Sequence, residues 1–170
     1  MSKLLDFYRD QGTDTEGRSL GELWGWNDDE LEEVHDFIQW MFPLPEPSRF
    51  NPDAPLLTGD DIAEFRSDEL LQSRLRTSFE RILRFLGFSW AEDGSVVEGP
   101  NFADRVPEIW AYPNHNWLRI TRVLRSLCQL GLKSEAQSLF KRLEALYSQH
   151  RFPITLDTFR YWTDAIRCGE

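Results

Sequence analysis

Asn114, His115, Asn116, Arg119 and Arg122 stand close together in the chain, and their order gives them the means for chemistry. At 100° per residue on a helix, His115, Arg119, Arg122 and Ser126 recur at i, i+4, i+7 and i+11 and share a face. Asn114 and His115 stand at the start of that helix, where backbone N–H groups are free and the dipole favours an anion. A cationic stripe running from such an end could hold a carboxylate or a phosphate. The plainer reading is a solvated face, or one paired with the acids of residues 28–36.

His35 and Gln39 lie one turn apart on a second predicted helix, beside Ile38 and Trp40. Joined to His115 and Asn116 they would form a ligand-binding cluster, flanked by Tyr8 and Arg9. Alone, they would hydrogen-bond the backbone of the proline-rich segment that follows, which is rich in carbonyls and poor in donors. The expectation is a cleft where the His35–Gln39 helix meets the start of the Asn114 helix, with His115, Asn116, Arg119 and Arg122 facing it and Asn114 among the candidate binding residues. Its ligand would be a peptide or the acidic groups of a partner, which makes the protein a non-enzymatic binding or interaction domain. The alternative is a small enzyme on an anionic substrate, with His115 or His35 as general acid or base and Arg119 as the charge clamp.

Other chemistries find little footing. A metal would need His35 and His115 to converge with a third ligand such as Asp36 or Glu33, and no HxxxH, HxH or CxxC spacing occurs. No GxSxG elbow and no glycine-rich phosphate loop is present. The acids Asp28, Asp29, Glu32 and Glu33 are explained by a helix start. No catalytic residue, metal or cofactor is expected.

The elements that must position these residues follow from periodicity and punctuation. Residues 1–26, with Gly12, Gly17, Gly21 and Gly25, read as an opening segment and loop. Asn27 caps a helix whose apolar positions are Leu31, Val34, His35 and Ile38. Pro43, Pro45, Pro47, Pro52 and Pro55 end it and impose an extended arm over residues 43–57. Trp40, Phe42, Leu44 and Phe50 should pin that arm down.

Thr58 and Asp61 form a capping-box pattern, and Ser67–Glu69 starts a longer helix. Its stripe is Leu71, Leu75, Phe79, Ile82 and Leu86, with Arg74, Arg81 and Arg84 on the opposite face and Gly87 at its end. Residues 91–100 read as a loop with a brief extended pair around Val96. Residues 101–110 read as a short helix broken by Pro107. The strongest helix runs from Asn114 to Leu130, and two more are capped by Ser134 and Thr155. The last of these turns Leu156, Phe159, Trp162 and Ile166 inward. About six helices and no convincing strand predict an all-α, irregular or orthogonal bundle with a proline-rich arm, as one domain over residues 1–170.

Composition agrees. The chain of 170 residues is 41% hydrophobic and 14% aromatic, with seven Trp and twelve Phe, which is enough to build a core without metal or disulfide help. Cys128 is expected as a buried thiol and Cys168 as exposed or frayed, the pattern of a reducing compartment. The opening stretch carries Lys3, Asp6 and Arg9, unlike a secretory leader, and no apolar run approaches the roughly 20 residues of a membrane span. A cytoplasmic protein is the expectation. Net charge is −10, which argues against general nucleic-acid binding. It is uneven: residues 1–65 hold sixteen acids against Lys3, Arg9, Arg18 and Arg49, whereas residues 101–151 hold eight basic residues against four acids.

Two stretches carry a family likeness. One is His35 followed by Phe37-Ile38-Gln39-Trp40-Met41-Phe42-Pro43-Leu44. The other runs from Asn114-His115-Asn116-Trp117-Leu118-Arg119-Ile120 through Leu127 to Leu130-Gly131-Leu132. They resemble the signature segments of the opioid growth factor receptor domain family. Phe7-Tyr8-Arg9 and the Phe159–Ile166 helix are similar to that family's opening and end. The resemblance implies an all-helical domain. In animals it implies binding of an enkephalin-type growth-inhibitory peptide and action at the nucleus. This sequence has no basic import cluster and no repeat-bearing tail, so the expectation stops at a domain of this family. The resemblance transfers no catalytic residues.

Overall fold

Hydroxyl and amide caps set five of the ten α-helix starts among the described residues. In a computed structural model, which describes residues 2–167, the opening region is more ordered than its glycines suggested. The Ser2 hydroxyl accepts from the Leu5 N–H to start α1 (Lys3–Tyr8), and the Ser19 hydroxyl accepts from Glu22 to start α2 (Leu20–Trp24). Both helices are too short to print a period in the sequence. The chain forms two compact units, Met1–Ser78 and Phe79–Glu170.

In the first unit Asn27 and Glu30 close the expected capping box on α3 (Asp28–Glu33). The predicted helix does not continue. Val34 is extended, and a separate turn, α4 (Ile38–Met41), follows. His35 and Gln39 therefore do not share a helix. Two causes are visible. Glu32 and Glu33 place negative charge at the end of a helix, where the dipole disfavours it. The carbonyls freed by the break are also taken by side chains: Gln39 Nε2 donates to the His35 carbonyl at 3.2 Å and Asn51 Nδ2 to that of Asp36 at 3.0 Å.

The proline-rich arm is held by buried Phe42 and Leu44 and by a backbone bond from Leu57 N–H to the Leu44 carbonyl, 3.0 Å. Phe50, expected to pin it, is 71% exposed; Ala54 turns inward instead. The Thr58–Asp61 box starts α5 (Gly59–Ser67) as predicted. Asp68 Oδ1 then accepts from the N–H groups of Leu70 and Leu71 at the head of α6 (Glu69–Leu86), whose predicted stripe is buried throughout. Arg84 is exposed and Arg74 lies over the Trp24 ring, but Arg81, assigned to the outer face, is only 5% exposed.

In the second unit Gly87 ends α6 at φ +89°, and a Cβ there would stand 2.9 Å from Phe102 Cα. The extended pair around Val96 is a hairpin of β1 (Phe88–Trp90) and β2 (Val96–Glu98), antiparallel with Ser89 opposite Val97. Helix α7 (Phe102–Arg105) runs into a π-helical turn, Val106–Trp110, with Pro107 near its start, where a missing N–H costs least. Then come α8 (Asn116–Gln129), α9 (Lys133–Ser148) and α10 (Leu156–Ala165), with α8 packed on both others. Three indoles join this core to its backbone. Trp110 donates to the Leu86 carbonyl, Trp117 to that of Ile109 and Trp162 to that of Trp117, all at 2.8–3.0 Å.

Thr155 caps α10 as expected, but α9 starts ahead of Ser134, which lies in its first turn, and Leu156 is half exposed. Cys128 is buried, yet it is disulfide-bonded rather than a free thiol; Cys168 lies outside the described residues. The architecture is mostly helical, as the sequence predicts, with one small hairpin added. Among the described residues no helix is long and apolar enough to cross a membrane.

Candidate functional site

The sequence-predicted residues fall in both units, and each group is built differently. Tyr8 sits on α1 with no exposed surface. Its hydroxyl bonds to the Met41 carbonyl and, at 3.0 Å, to the Ser78 hydroxyl, which also accepts from the Trp24 indole at 2.9 Å. Burial pushes the Tyr8 phenol well above its ordinary range, with the Ser78 bond opposing. Tyr8 is thus a buried strut that ties α1 to α4 and α6.

Gln39 is likewise buried. Besides the His35 carbonyl it lies 3.5 Å from both Ser48 Oγ and Asn51 Nδ2, so it ties the arm through side chains where backbone bonds were expected. His35 is exposed and not on the floor of a pocket. Asp36, the conceivable third metal ligand, is paired with Arg18 at 2.8 Å, and Arg18 also holds Asp14 at 2.7 Å. No group of three or more metal-ligating side chains occurs among the described residues.

Arg9 reaches a hollow. Its Nη2 lies 2.9 Å from Glu64, on α5, and 3.0 Å from Asp68, at the junction of α5 and α6. Those hydrogen bonds, Asp68 first, raise the Arg9 pKa, and the Arg9 guanidinium, helped by the Leu71 N–H, holds the Asp68 carboxyl below its ordinary range. Arg9 and Glu64 line a cavity of about 560 Å³ between α1 and the start of α5, within the size range of ligand sites (about 300–1,000 Å³). Its apolar walls are Leu4, Leu5, Pro55 and Leu56; Asp61, also in the wall, is used by the Thr58 cap. Lys3, Asp6 and Asp60 complete the rim. Sequence alone marks Arg9 only as a flank of the expected cleft. The other lining residues carry no motif, and Asp61 registered solely as a cap.

In the second unit, Asn114 is an organiser. Its Oδ1 accepts from the Asn116 N–H at 2.9 Å, and its Nδ2 donates to the carbonyls of Ile109, 2.8 Å, and Tyr112, 2.6 Å. These bonds start α8 at Asn116, two residues later than expected. His115 is the half-buried residue before the helix and offers no side-chain cap. Asn116 is fully buried and its Oδ1 accepts from Arg119 Nη1 at 3.3 Å. Arg119 and Arg122 are half-buried on α8, and Ser126, on the same predicted stripe, is buried. The structure therefore brings Asn114, Asn116 and Arg119 together as one linked start to α8.

A second hollow of about 310 Å³ lies between the hairpin turn and α9, lined by Asp93, Ser95, Ser138, Lys141 and Arg142. No motif in the sequence signals it: Lys141 and Arg142 are ordinary outward positions of α9, and the residues of the turn carry only loop signals.

Comparison with known proteins agrees with the resemblance seen in the sequence. Residues 4–170 match the model of the opioid growth factor receptor conserved region. The chain is 36% identical to the opioid growth factor receptor of Rattus norvegicus over 96% of this chain and 29% of that protein, and 37% identical to that of Mus musculus over 85% and 23%. It is 34% identical to an opioid growth factor receptor-like protein 1 of Xenopus tropicalis over 69% of this chain and 23% of that protein. The chain spans less than a third of the length of these relatives. No solved structure matches it.

Proposed function

The chain belongs to the opioid growth factor receptor conserved-region family, and from that premise we propose that it is a non-enzymatic binding domain that takes a peptide segment into the hollow beside Arg9. The observation that carries this reading is the composition of that hollow. Aliphatic walls from Leu4, Leu5, Pro55 and Leu56 suit an apolar side chain, and Leu56 is 45% exposed at the mouth. The charges that remain after Arg9 is paired with Glu64 and Asp61 is used as a cap are Asp6 and Asp60 against Lys3. A peptide bearing a positively charged group next to an apolar one matches this balance. The relatives are named as receptors of a growth factor, which supports a peptide as the ligand class. The enzymatic alternative has no comparable support: neither hollow is lined by a histidine among the described residues.

The test is titration of the chain with the opioid growth factor for which the relatives are named, followed by calorimetry. Saturable one-to-one binding is expected. Leu56→Arg, at a half-exposed position that tolerates the change, should weaken it roughly tenfold or more by placing a charge in the apolar mouth. Asp60→Asn should weaken it less. Binding that is unaltered in Leu56→Arg, or absent in the parent chain, overturns the reading.

A further inference from the structure

The hollow of the second unit is lined by two cationic side chains, Lys141 and Arg142, against one acid, Asp93. On α9, Ser138, Lys141 and Arg142 fall at i, i+3 and i+4 and so share a face, which lines the hollow opposite the hairpin turn. Arg142 is half-buried, and its Nε donates to the Val96 carbonyl of β2 at 3.0 Å. That bond fixes the guanidinium plane and leaves the two terminal nitrogens as a preset fork. Neither Lys141 nor Arg142 has an ion-pair partner among the described residues. Of the acids near the hairpin, Glu98 pairs with Arg151, and Asp93, which lines the hollow, accepts at Oδ1 from both the backbone N–H (3.0 Å) and the hydroxyl (2.6 Å) of Ser95.

From this arrangement we propose that the hollow between the hairpin turn and α9 is a carboxylate-binding site, in which the Arg142 fork and the Lys141 ammonium hold the two oxygens of a ligand carboxylate. The Ser138 hydroxyl supplies a further donor. Two features select this class. A planar guanidinium with both terminal nitrogens open matches a carboxylate two bonds to two. The charge count also decides between oxyanions: Lys141 and Arg142 give two positive charges, and Asp93 across the hollow removes one. A singly charged carboxylate balances the remainder, whereas a phosphate dianion would overfill it and face Asp93. Asp93 keeps a second oxygen, Oδ2, toward which an amide N–H of the ligand could turn. The preferred ligand is therefore a carboxylate with an amide nearby, as at a peptide chain end. The site is separate in residues and in charge from the hollow beside Arg9 and does not rest on it.

The experiment is a ¹⁵N-resolved NMR titration of the full chain with N-acetylalanine, its neutral amide N-acetylalaninamide, and inorganic phosphate. Saturable shifts are expected at Gly94, Ser95, Ser138, Lys141 and Arg142 with N-acetylalanine, and none with the amide. Lys141→Gln, at an exposed position, should leave the thermal midpoint unchanged and weaken binding about tenfold, the scale of losing one charge-assisted contact. Arg142→Lys keeps the charge but removes the fork, and should weaken binding as well. The proposal fails if N-acetylalanine gives no saturable shifts at these residues, if the amide binds as tightly, or if Lys141→Gln and Arg142→Lys bind like the parent chain. Tighter binding of phosphate than of N-acetylalanine overturns the assignment to a carboxylate.

Discussion

Arg9 in the first unit and Arg142 in the second are both half-buried arginines at the edge of a hollow, yet they do different work. Arg9 spends its guanidinium on Glu64 and Asp68. Arg142 uses Nε on a backbone carbonyl and has no ion-pair partner among the described residues. What separates a structural arginine from a candidate binding one here is how many of its donors are already satisfied; residue type and exposure do not distinguish them. The same accounting divides the nine predicted site residues. Tyr8, Gln39, Asn114 and Asn116 serve as internal fasteners: the first three bond backbone carbonyls, and the Asn116 Oδ1 accepts from the Arg119 guanidinium.

Substitution of the fasteners should have the largest effects. Tyr8→Phe keeps the ring and removes the hydroxyl, leaving the Met41 carbonyl and Ser78 with one partner fewer. A loss of about 1–3 kcal/mol in denaturant-unfolding stability at pH 7 is expected, the range for an unsatisfied buried polar group. The pH profile sharpens this. Burial raises the folded pKa of Tyr8 above its unfolded value near 10. The unfolded chain therefore loses this proton first, so the contribution is complete below about pH 10 and disappears as pH rises beyond it. The parent chain should lose stability above that pH, and Tyr8→Phe should lack this component. A parent profile flat to pH 11, or a Phe variant as stable as the parent, would remove Tyr8 from the fasteners.

Asn114 comes next. Asn114→Ala removes a cap on α8 and two carbonyl partners, and should cost about 1–2 kcal/mol. Ser134→Ala is the matched control, since Ser134 looked like a cap but lies inside α9; its cost should stay within about 0.5 kcal/mol. Urea unfolding of both variants compares them directly, and equal losses would break the distinction.

The same pair shows what was legible in the sequence. Helices with a side-chain cap and a sustained stripe were readable: Asn27, Thr58 and Thr155 cap where expected, and the stripe from Leu71 to Leu86 is buried as drawn. Helices α1 and α2 were not, because five or six residues cannot display a period of 3.6. The break between Glu33 and Ile38 was invisible because its cause is non-local: Asn51, thirteen or more residues away on the arm, takes a carbonyl that a continued helix would have used. Phe50 failed for a related reason. Composition marks it as an anchor, but only the path of the arm decides that Ala54 turns inward. Of the site, Arg9 and the linked start of α8 could be picked out by residue type. Neither hollow could, since each is assembled from segments dozens of residues apart whose own patterns signal only caps and solvent-facing turns.

A smaller effect tests the closed side of the comparison. Arg9→Gln removes the ion pairs to Glu64 and Asp68 and should lower the thermal midpoint at pH 7 by less than Asn114→Ala does, because these side chains are partly solvated. Asp68 has a depressed folded pKa, so its contribution is present above the unfolded value near 4 and is lost as pH falls below it. The gap between parent and Arg9→Gln should therefore close as the pH is lowered from 5 to 3. A gap that persists at pH 3 would mean that Arg9 stabilises through packing of its stem instead of its charge.

The smallest stability effect belongs to the open side. Lys141 is exposed and has no partner among the described residues, so Lys141→Gln should change unfolding free energy by less than about 0.5 kcal/mol. A cation that the fold does not use, placed beside a guanidinium that the fold orients, is carried at some cost in mutual repulsion. Removing it should leave stability level or slightly raised, and any rise should shrink with added salt, since screening weakens repulsion between exposed charges. Denaturation of Lys141→Gln at low and at high ionic strength reads this directly. A clear loss of stability at low salt would show that Lys141 is held by a favourable interaction within the chain. Its charge would then be spent, as Arg9's is, and the contrast between the two hollows would disappear.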